Sequence, residues 1–233
     1  MKFIHIADLH ASKSRAEPCK KVLKILIDYV KKTEEKPKVL IAGDFFDSSI
    51  TAGPTYASFL NLVGELKNLT DVFFIYGTPS HEISDCLKAF SLMGCHVYER
   101  NTFEDFGNWE LIALPEPRRV NFLDNIKEGA DVNEHIVNEI ERFTDNLPPK
   151  TKTRIVIGHG EIVGQKYDNG MLCSSPIAFR PSTLKRMNAD YYAFGHIHST
   201  MEVFENCWYS GSCYQKNFGE THNPTMIEIE IGD

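Results

Sequence analysis

Two pairs of polar residues lie near opposite ends of the sequence, each directly after an apolar run. The runs cover residues 3–7 and 191–194, and the pairs that follow them are Asp8 with His10, and His196 with His198. In an extended chain, residues two apart point to the same face, so each pair would direct both side chains to one point. Carboxylate and imidazole groups are ligands for transition metals such as zinc, manganese and iron. The spacing therefore predicts a metal site that both ends of the chain help to form.

Three further candidate residues also follow apolar runs. They are Asp44 after residues 38–42, His81 after residues 71–76 and His159 after residues 154–157. A site that holds two cations roughly 3.5–4 Å apart can clamp a phosphoryl group and activate a water. Such a site needs a shared anionic ligand that offsets the repulsion between the cations. Asp44 is the natural bridging ligand because it follows its strand alone.

The elements that must position these residues alternate between apolar runs and amphipathic segments. Helices are predicted from about residue 17, at 54–66, near 85–93 and at 132–143, and short strands near 96–98, 110–114, 201–204, 207–210 and 226–231. This alternation predicts an α/β sheet, in which ligand sites lie at the carboxyl ends of the strands. Residues 161–180 lack periodicity and are predicted to form a substrate-binding loop, with Lys166, Tyr167 and Arg180 as contacts.

Length and charge narrow the classes of function. The chain has 233 residues and a net charge of -7, and we expect residues 1–233 to form a single domain. An acidic protein is a poor candidate for simply coating nucleic acid, although bound cations would make a nuclease site locally positive. No apolar run approaches the roughly 18 residues of a membrane span. With no leader recognisable, we expect a cytoplasmic protein with no membrane partner.

The motifs around the candidate ligands resemble those of the calcineurin-like metallophosphoesterases. The matching motifs are Asp8-x-His10, Gly43-Asp44-x-x-Asp47, Gly158-His159 and Gly195-His196-x-His198. The segment Tyr209-Ser210-Gly211-Ser212, followed by Phe218-Gly219-Glu220, is similar to the corresponding part of SbcD-type nuclease subunits. This resemblance implies a four-layer α/β/β/α sandwich with two mixed β-sheets flanked by helices. No DNA-capping domain or ATPase-docking segment is recognisable.

The resemblance also implies roles for the candidate residues. One metal would be held by Asp8, His10, Asp44 and His198, and the other by Asp44, His159 and His196, with His81 as the catalytic residue. The implied ions are two divalent metals, manganese first, with magnesium, zinc and iron as alternatives. The implied partners are DNA, an SbcC-type SMC-like ATPase subunit and a second copy of the chain.

One motif departs from the family pattern Gly-Asn-His-Asp. Here the stretch reads Gly77-Thr78-Pro79-Ser80-His81-Glu82, which is two residues longer and has no Asn. Aligned from its end, Ser80 takes the place of the ligand amide and Glu82 that of the Asp, where it could orient His81. We expect either Ser80 or a water to replace the Asn at the second metal.

Three functions stay open at this point. The first is hydrolysis of DNA phosphodiesters by water activated at two metals, as an exonuclease or endonuclease. The second is the same chemistry on a cyclic nucleotide, a nucleotide or a phosphoprotein, since a fold does not fix a substrate. The third is a non-catalytic scaffold, which the altered segment 77–82 alone supports.

Overall fold

The structure is a computed structural model that describes residues 1–47, 52–125, 130–167, 169–216, 220 and 222–232. Phe218 and Gly219, which belong to the motif that resembles SbcD-type subunits, lie outside the described residues. The helices are α1 (Ala16–Lys32), α2 (Gly53–Lys67), α3 (Lys88–Leu92), α4 (Val132–Asp145) and α5 (Pro181–Arg186), and a 3₁₀ helix covers Arg119–Asn125. The strands are β1 (Lys2–Ile6), β2 (Lys38–Ala42), β3 (Val72–Ile75), β4 (His96–Tyr98), β5 (Thr102–Asp105), β6 (Trp109–Leu114), β7 (Thr153–His159), β8 (Tyr191–Gly195), β9 (Met201–Phe204), β10 (Cys207–Tyr209) and β11 (Ile227–Glu230).

The strands form two mixed sheets. The first has the order β11-β1-β2-β3-β4 and the second the order β5-β6-β7-β8-β10-β9. In the first sheet β1 to β4 run parallel, and β11 pairs antiparallel with β1. In the second sheet β6, β7, β8 and β10 run parallel, and the edge strands β5 and β9 are antiparallel. The parallel strands of each sheet therefore present their carboxyl ends at one edge.

Strand residues alternate between two apolar layers, as the period of two requires. In β2, Val39 and Ile41 pack under the helices α1 and α2, whereas Leu40 and Ala42 face the second sheet. Because both faces of the strand are covered, it is apolar at nearly every position. The layer between the sheets includes Trp109, and a third apolar layer packs the second sheet against α4 and α5. The predicted α/β/β/α sandwich with two mixed sheets flanked by helices is confirmed.

Most predicted elements are found close to their predicted bounds, and the differences involve short elements. The helix predicted near 85–93 is reduced to α3, Lys88–Leu92. The sequence analysis missed β5, α5 and the 3₁₀ helix, because elements of four to seven residues are too short to show a period. Within the described part of the chain, no helix combines the length and the apolar character needed to cross a membrane.

Candidate metal centre

The carboxyl ends of strands from both sheets meet at the candidate metal centre. β1 and β2 of the first sheet lead to Asp8 and Asp44, and β7 and β8 of the second lead to His159 and His196. A hydrogen bond joins the two sheets there, since the backbone N–H of His196 donates to Oδ1 and Oδ2 of Asp8 at 3.2 and 3.0 Å. Residues 188 positions apart in sequence are thereby brought into direct contact.

All six predicted metal ligands and His81 belong to one contiguous set of potential ligand groups. Within each group, the ligand atoms lie within 4.8 Å of one another. The groups are Asp8 with His10 and His198; His10 with Asp44 and His81; Asp8 with Asp44 and His159; and Glu116 with His159 and His196. Asp8, His10, Asp44 and His159 each belong to two of these groups, and among them the carboxylate of Asp44 could bridge two ions. Asp8 also reaches both ends of the site, which the sequence did not indicate.

A buried nitrogen atom without a partner fits a cation at this centre. Nε2 of His10 is buried and has no hydrogen-bond partner among the described residues. It lies 3.7 Å from Oδ1 of Asp8 and 3.7 Å from Oδ2 of Asp44. Leaving a buried polar atom unsatisfied costs roughly 1–3 kcal/mol, and a metal ion between these three groups would remove that cost. The donor set of imidazoles and carboxylates fits manganese, iron or zinc.

The backbone at the ligands is strained in a way that serves the site. Asp8, His10, Asp44 and His196 have φ angles of 54°, 44°, 49° and 110°. Non-glycine residues rarely adopt positive φ, and such strain clusters at functional sites. The neighbouring Gly43 permits the close approach of His159, because a Cβ at position 43 would lie 2.2 Å from Nδ1 of that ring.

The orientation of His159 is fixed by the backbone of the neighbouring sheet. Nδ1 of His159 lies 2.7 Å from the carbonyl oxygen of Ala42, so it donates there and leaves Nε2 facing Asp44, 3.5 Å from Oδ2. Burial lowers the pKa of His159, but the charge of Asp44 and the hydrogen bond to it outweigh burial and raise that pKa to about 10. The negative charge of Asp44 beside His159 would likewise attract a divalent cation.

His198 is held by the tail of the chain. Nδ1 of His198 lies 3.1 Å from Oε1 of Glu220, and Nζ of Lys216 lies 2.8 Å from Nε2 of the same ring. Burial lowers the pKa of Lys216 from its ordinary value. In addition, the hydroxyl of Ser212 donates to the backbone carbonyl of Asp8 at 3.1 Å. Two residues of the motif that resembles SbcD-type subunits, Ser212 and Glu220, therefore contact Asp8 and His198.

His81 lies beside the ligands of the first metal. Its Nδ1 atom is 3.1 Å from Nδ1 of His10 and 3.1 Å from Oδ1 of Asp47, and Asp47 in turn pairs with Arg15. Nε2 of His81 is engaged by no hydrogen bond from the described residues, so this nitrogen is available to other groups. Asp47 therefore links Arg15 to His81.

Glu82 does not orient His81, contrary to the expectation from its position in the motif. Its carboxylate accepts hydrogen bonds from the backbone N–H groups of Phe45, Phe46 and Gly77 at 2.8, 3.3 and 2.6 Å. Glu82 therefore joins the loop after β3 to the loop after β2, which carries Asp44. Burial and the charge of Asp44 raise the pKa of Glu82 to about 7.

The loop after β3 places Thr78 rather than Ser80 at the ligands. The Thr78 hydroxyl lies 3.1 Å from Oδ2 of Asp44 and 3.4 Å from Nε2 of His159. Ser80 is exposed, and no hydrogen bond within the described residues connects it to the site. Of the two expected replacements for the family's Asn, Ser80 is therefore not at the site, because the two extra residues extend the loop after Thr78, and a water stays the other expectation.

Of the three residues in the loop over residues 161–180 that are predicted to contact the substrate, Tyr167 lies at the metal centre. The Tyr167 hydroxyl donates to Oε1 of Glu161 at 2.6 Å and lies 3.0 Å from Nε2 of His196. Lys166 is exposed, and Arg180 lies at the start of α5 with its guanidinium 3.9 Å from Glu141. Arg180 therefore interacts with α4 rather than with the metal centre.

Sequence reasoning missed Glu116. This residue lies two positions after β6, and its carboxylate is grouped with His159 and His196. Burial raises the pKa of Glu116 to about 7. The signal that could have revealed it is the same as for the other ligands, an acidic residue that directly follows an apolar strand.

Comparison with known proteins gives the family and the fold. No curated protein matches the sequence. Among solved structures, a dimetal phosphatase from Danio rerio is similar with a TM-score of 0.52 and 13% identity over 90% of this chain and 86% of that one. GAP50, the anchor in the inner membrane complex of Plasmodium, is similar with a TM-score of 0.50 and 17% identity over 97% and 76% of the two chains. Residues 1–200 match the model of the calcineurin-like phosphoesterases, and the chain belongs to that family.

Proposed function

We propose that the protein is a two-metal phosphodiesterase that hydrolyses the phosphodiester backbone of DNA, as SbcD-type nucleases do. The observation that carries the proposal is the convergence of Asp8, His10, Asp44, His159, His196 and His198 on one centre, with His81 beside it. Two bound divalent cations would supply charge neutralisation at the phosphoryl oxygens and a lowered pKa of a bound water. We expect manganese as the first choice of metal.

Side chains of the protein carry the remaining roles, which are protonation of the leaving group and attraction of the phosphate. His81 is positioned to protonate the leaving oxygen through Nε2, and Asp47 stabilises the protonated ring. Protonation of the leaving group matters most for a phosphodiester, whose leaving group is an alkoxide. The ammonium group of Lys216, beside His198, adds a positive charge that would attract a backbone phosphate.

The choice of DNA as substrate is supported by the tail. Ser212 and Glu220, which belong to the segment that resembles SbcD-type subunits, contact Asp8 and His198 directly. The resemblance therefore extends to residues that support the site. The SbcC-type ATPase partner and the homodimer implied by the same resemblance stay predictions.

A nucleotide or another small phosphate ester is the second candidate substrate. A cavity of about 270 Å³ lies next to the centre, and Glu116 and Arg118 form part of its wall together with Asn121 and Phe122. Small-ligand sites are usually concave, with a few polar groups among apolar ones. The similar Danio rerio protein is a dimetal phosphatase. The net charge of -7 also favours a small substrate over a long polyanion.

One experiment separates these substrates. The purified protein is incubated with linear duplex DNA, single-stranded DNA, bis-p-nitrophenyl phosphate and mononucleotides, each with manganese, magnesium or EDTA. We expect metal-dependent cleavage of DNA and of the model diester, abolished by EDTA and by Asp44→Ala. Release of phosphate from mononucleotides with DNA left intact would show that the protein is a nucleotidase and not a nuclease. Absence of hydrolysis in all arms, with metals bound, would favour the scaffold.

A further inference from the structure

The second metal lacks one ligand relative to the family pattern. The family's Asn is absent, and the Thr78 hydroxyl lies nearest to that position, at 3.1 Å from Oδ2 of Asp44. Asp44, His159 and His196 are then the only predicted protein ligands at this metal. Divalent ions that prefer oxygen ligands commonly take about six ligands. The second site has room for another protein oxygen.

Strand order brings Glu116 to this position. β6, β7 and β8 are adjacent and parallel, with Leu114 paired to Gly158 and His159 paired to Gly195. A residue two positions beyond Leu114 is therefore level with the residues that follow β7. The backbone N–H of Glu116 also donates to the carbonyl oxygen of Tyr76 at 3.1 Å, which anchors it to the end of β3 in the other sheet.

The Glu116 carboxylate lies close to two of the predicted histidine ligands. Its carboxylate belongs to the group with His159 and His196, whose ligand atoms lie within 4.8 Å of one another. Oε2 is buried without a hydrogen-bond partner among the described residues. Gly160 permits this placement, since a Cβ at position 160 would lie 2.5 Å from Oε2. The unsatisfied oxygen and the space left by Gly160 fit a cation bound between Glu116 and the two histidines.

We infer that Glu116 is a ligand of the second metal and replaces the amide missing from the loop after β3. This inference rests on the proposed two-metal function and extends the ligand set to a residue outside the motifs of the family. A carboxylate adds a negative charge that an amide does not have, so it also strengthens the attraction for a divalent ion. The Thr78 hydroxyl can then donate to Asp44 and does not have to coordinate the metal.

The test measures metal binding rather than turnover. Metal-free wild type, Glu116→Ala and Glu116→Gln are titrated with manganese by calorimetry, and free Mn²⁺ is followed by electron paramagnetic resonance. Wild type is expected to bind two ions. Glu116→Ala should keep one ion and bind the second more than about tenfold more weakly, because even outer partners of ligands cost 10–100-fold. The affinity of Glu116→Gln for the second ion should lie between those of wild type and Glu116→Ala, since the Gln amide oxygen is a neutral ligand.

Glu99→Ala is the matched control, because Glu99 lines the same cavity as Glu116 but is outside the described ligand groups. It should bind both ions as wild type does. Thermal unfolding in EDTA separates ligation from a structural role, and metal-free Glu116→Gln should unfold no earlier than metal-free wild type. Earlier unfolding of that variant, or two ions bound with wild-type affinity by both Glu116 variants, would overturn the inference. Failure of wild type to bind two ions would instead overturn the proposed function.

Discussion

The backbone N–H of Thr78 donates a hydrogen bond to Oδ1 of Asp44 at 2.6 Å, and the Thr78 hydroxyl contacts the other oxygen of the same carboxylate at 3.1 Å. Both oxygens of the predicted bridging ligand are thus oriented by one residue. Gly77 makes this contact possible, since a Cβ at position 77 would lie 2.2 Å from Oδ1 of Asp44. The altered motif has kept its contact with the site although it has lost its amide.

The first prediction compares Thr78→Asn with Ser80→Asn. Thr78→Asn places the family's amide beside Asp44 and His159, so we expect manganese to bind the second site at least severalfold more tightly. Ser80→Asn should leave manganese affinity unchanged because Ser80 is exposed. Calorimetric titration of both variants checks the prediction. Tighter binding in Ser80→Asn alone would show that the loop takes a different path.

The second prediction separates catalysis from metal binding at His81. We expect His81→Ala to keep both metals and its fold but to lose roughly 10²–10⁴-fold in the rate of diester cleavage, since His81 acts as a general acid. Asp44→Ala should lose metal and activity together because Asp44 belongs to two ligand groups. Bound manganese and cleavage of DNA, whose leaving group is an alkoxide, are measured for both variants. A wild-type rate in His81→Ala would contradict the role of His81.

The third prediction concerns Glu82. Replacement by Ala removes the acceptor for the buried backbone N–H groups of Phe45, Phe46 and Gly77. Because each unsatisfied buried donor costs about 1–3 kcal/mol, we expect the free energy of unfolding to fall by roughly 3 kcal/mol. Urea unfolding of the metal-free protein measures this loss. The control is Glu205→Ala at an exposed turn, which should change stability little; equal stability of the two variants would refute the role of Glu82.

The fourth prediction concerns pH and His5, which is buried between the sheets. Its Nε2 donates to the carbonyl oxygen of Phe194 at 3.1 Å and its Nδ1 lies 3.2 Å from the Tyr191 hydroxyl. Burial lowers the pKa of His5 from 6.5 to about 3. Below pH 6.5 the unfolded chain therefore binds a proton that the folded protein does not, and the stabilisation present above pH 6.5 is lost as the pH falls toward 3.

Comparison with His5→Gln isolates this effect. The amide nitrogen of Gln can still donate to Phe194, but the variant has no proton to bind. Between pH 7 and pH 5 the free energy of unfolding of wild type should fall by roughly 2 kcal/mol more than that of His5→Gln, as proton linkage requires. Urea unfolding in EDTA at the two pH values gives this difference. Identical pH slopes would mean that His5 binds its proton equally in the folded and unfolded states, which would contradict the lowered pKa.

The sequence by itself indicated the candidate ligands, because each lies at or just after the end of an apolar strand, and the family motifs implied their metal-binding roles. The directions of Asp8, His10 and His196 were decided by the tertiary structure, since their positive φ angles depart from the extended backbone. The alternation within β1, β2 and β8 likewise predicted strands covered on both faces, and the family motifs implied the four-layer sandwich. Only the tertiary structure decided where Thr78, Glu82 and Glu116 lie relative to the candidate ligands. The first two depend on the path of a loop with two extra residues, which no periodicity specifies. Glu116 depends on β6 lying next to β7, and strand order is set by the packing of the whole sheet rather than by any local pattern.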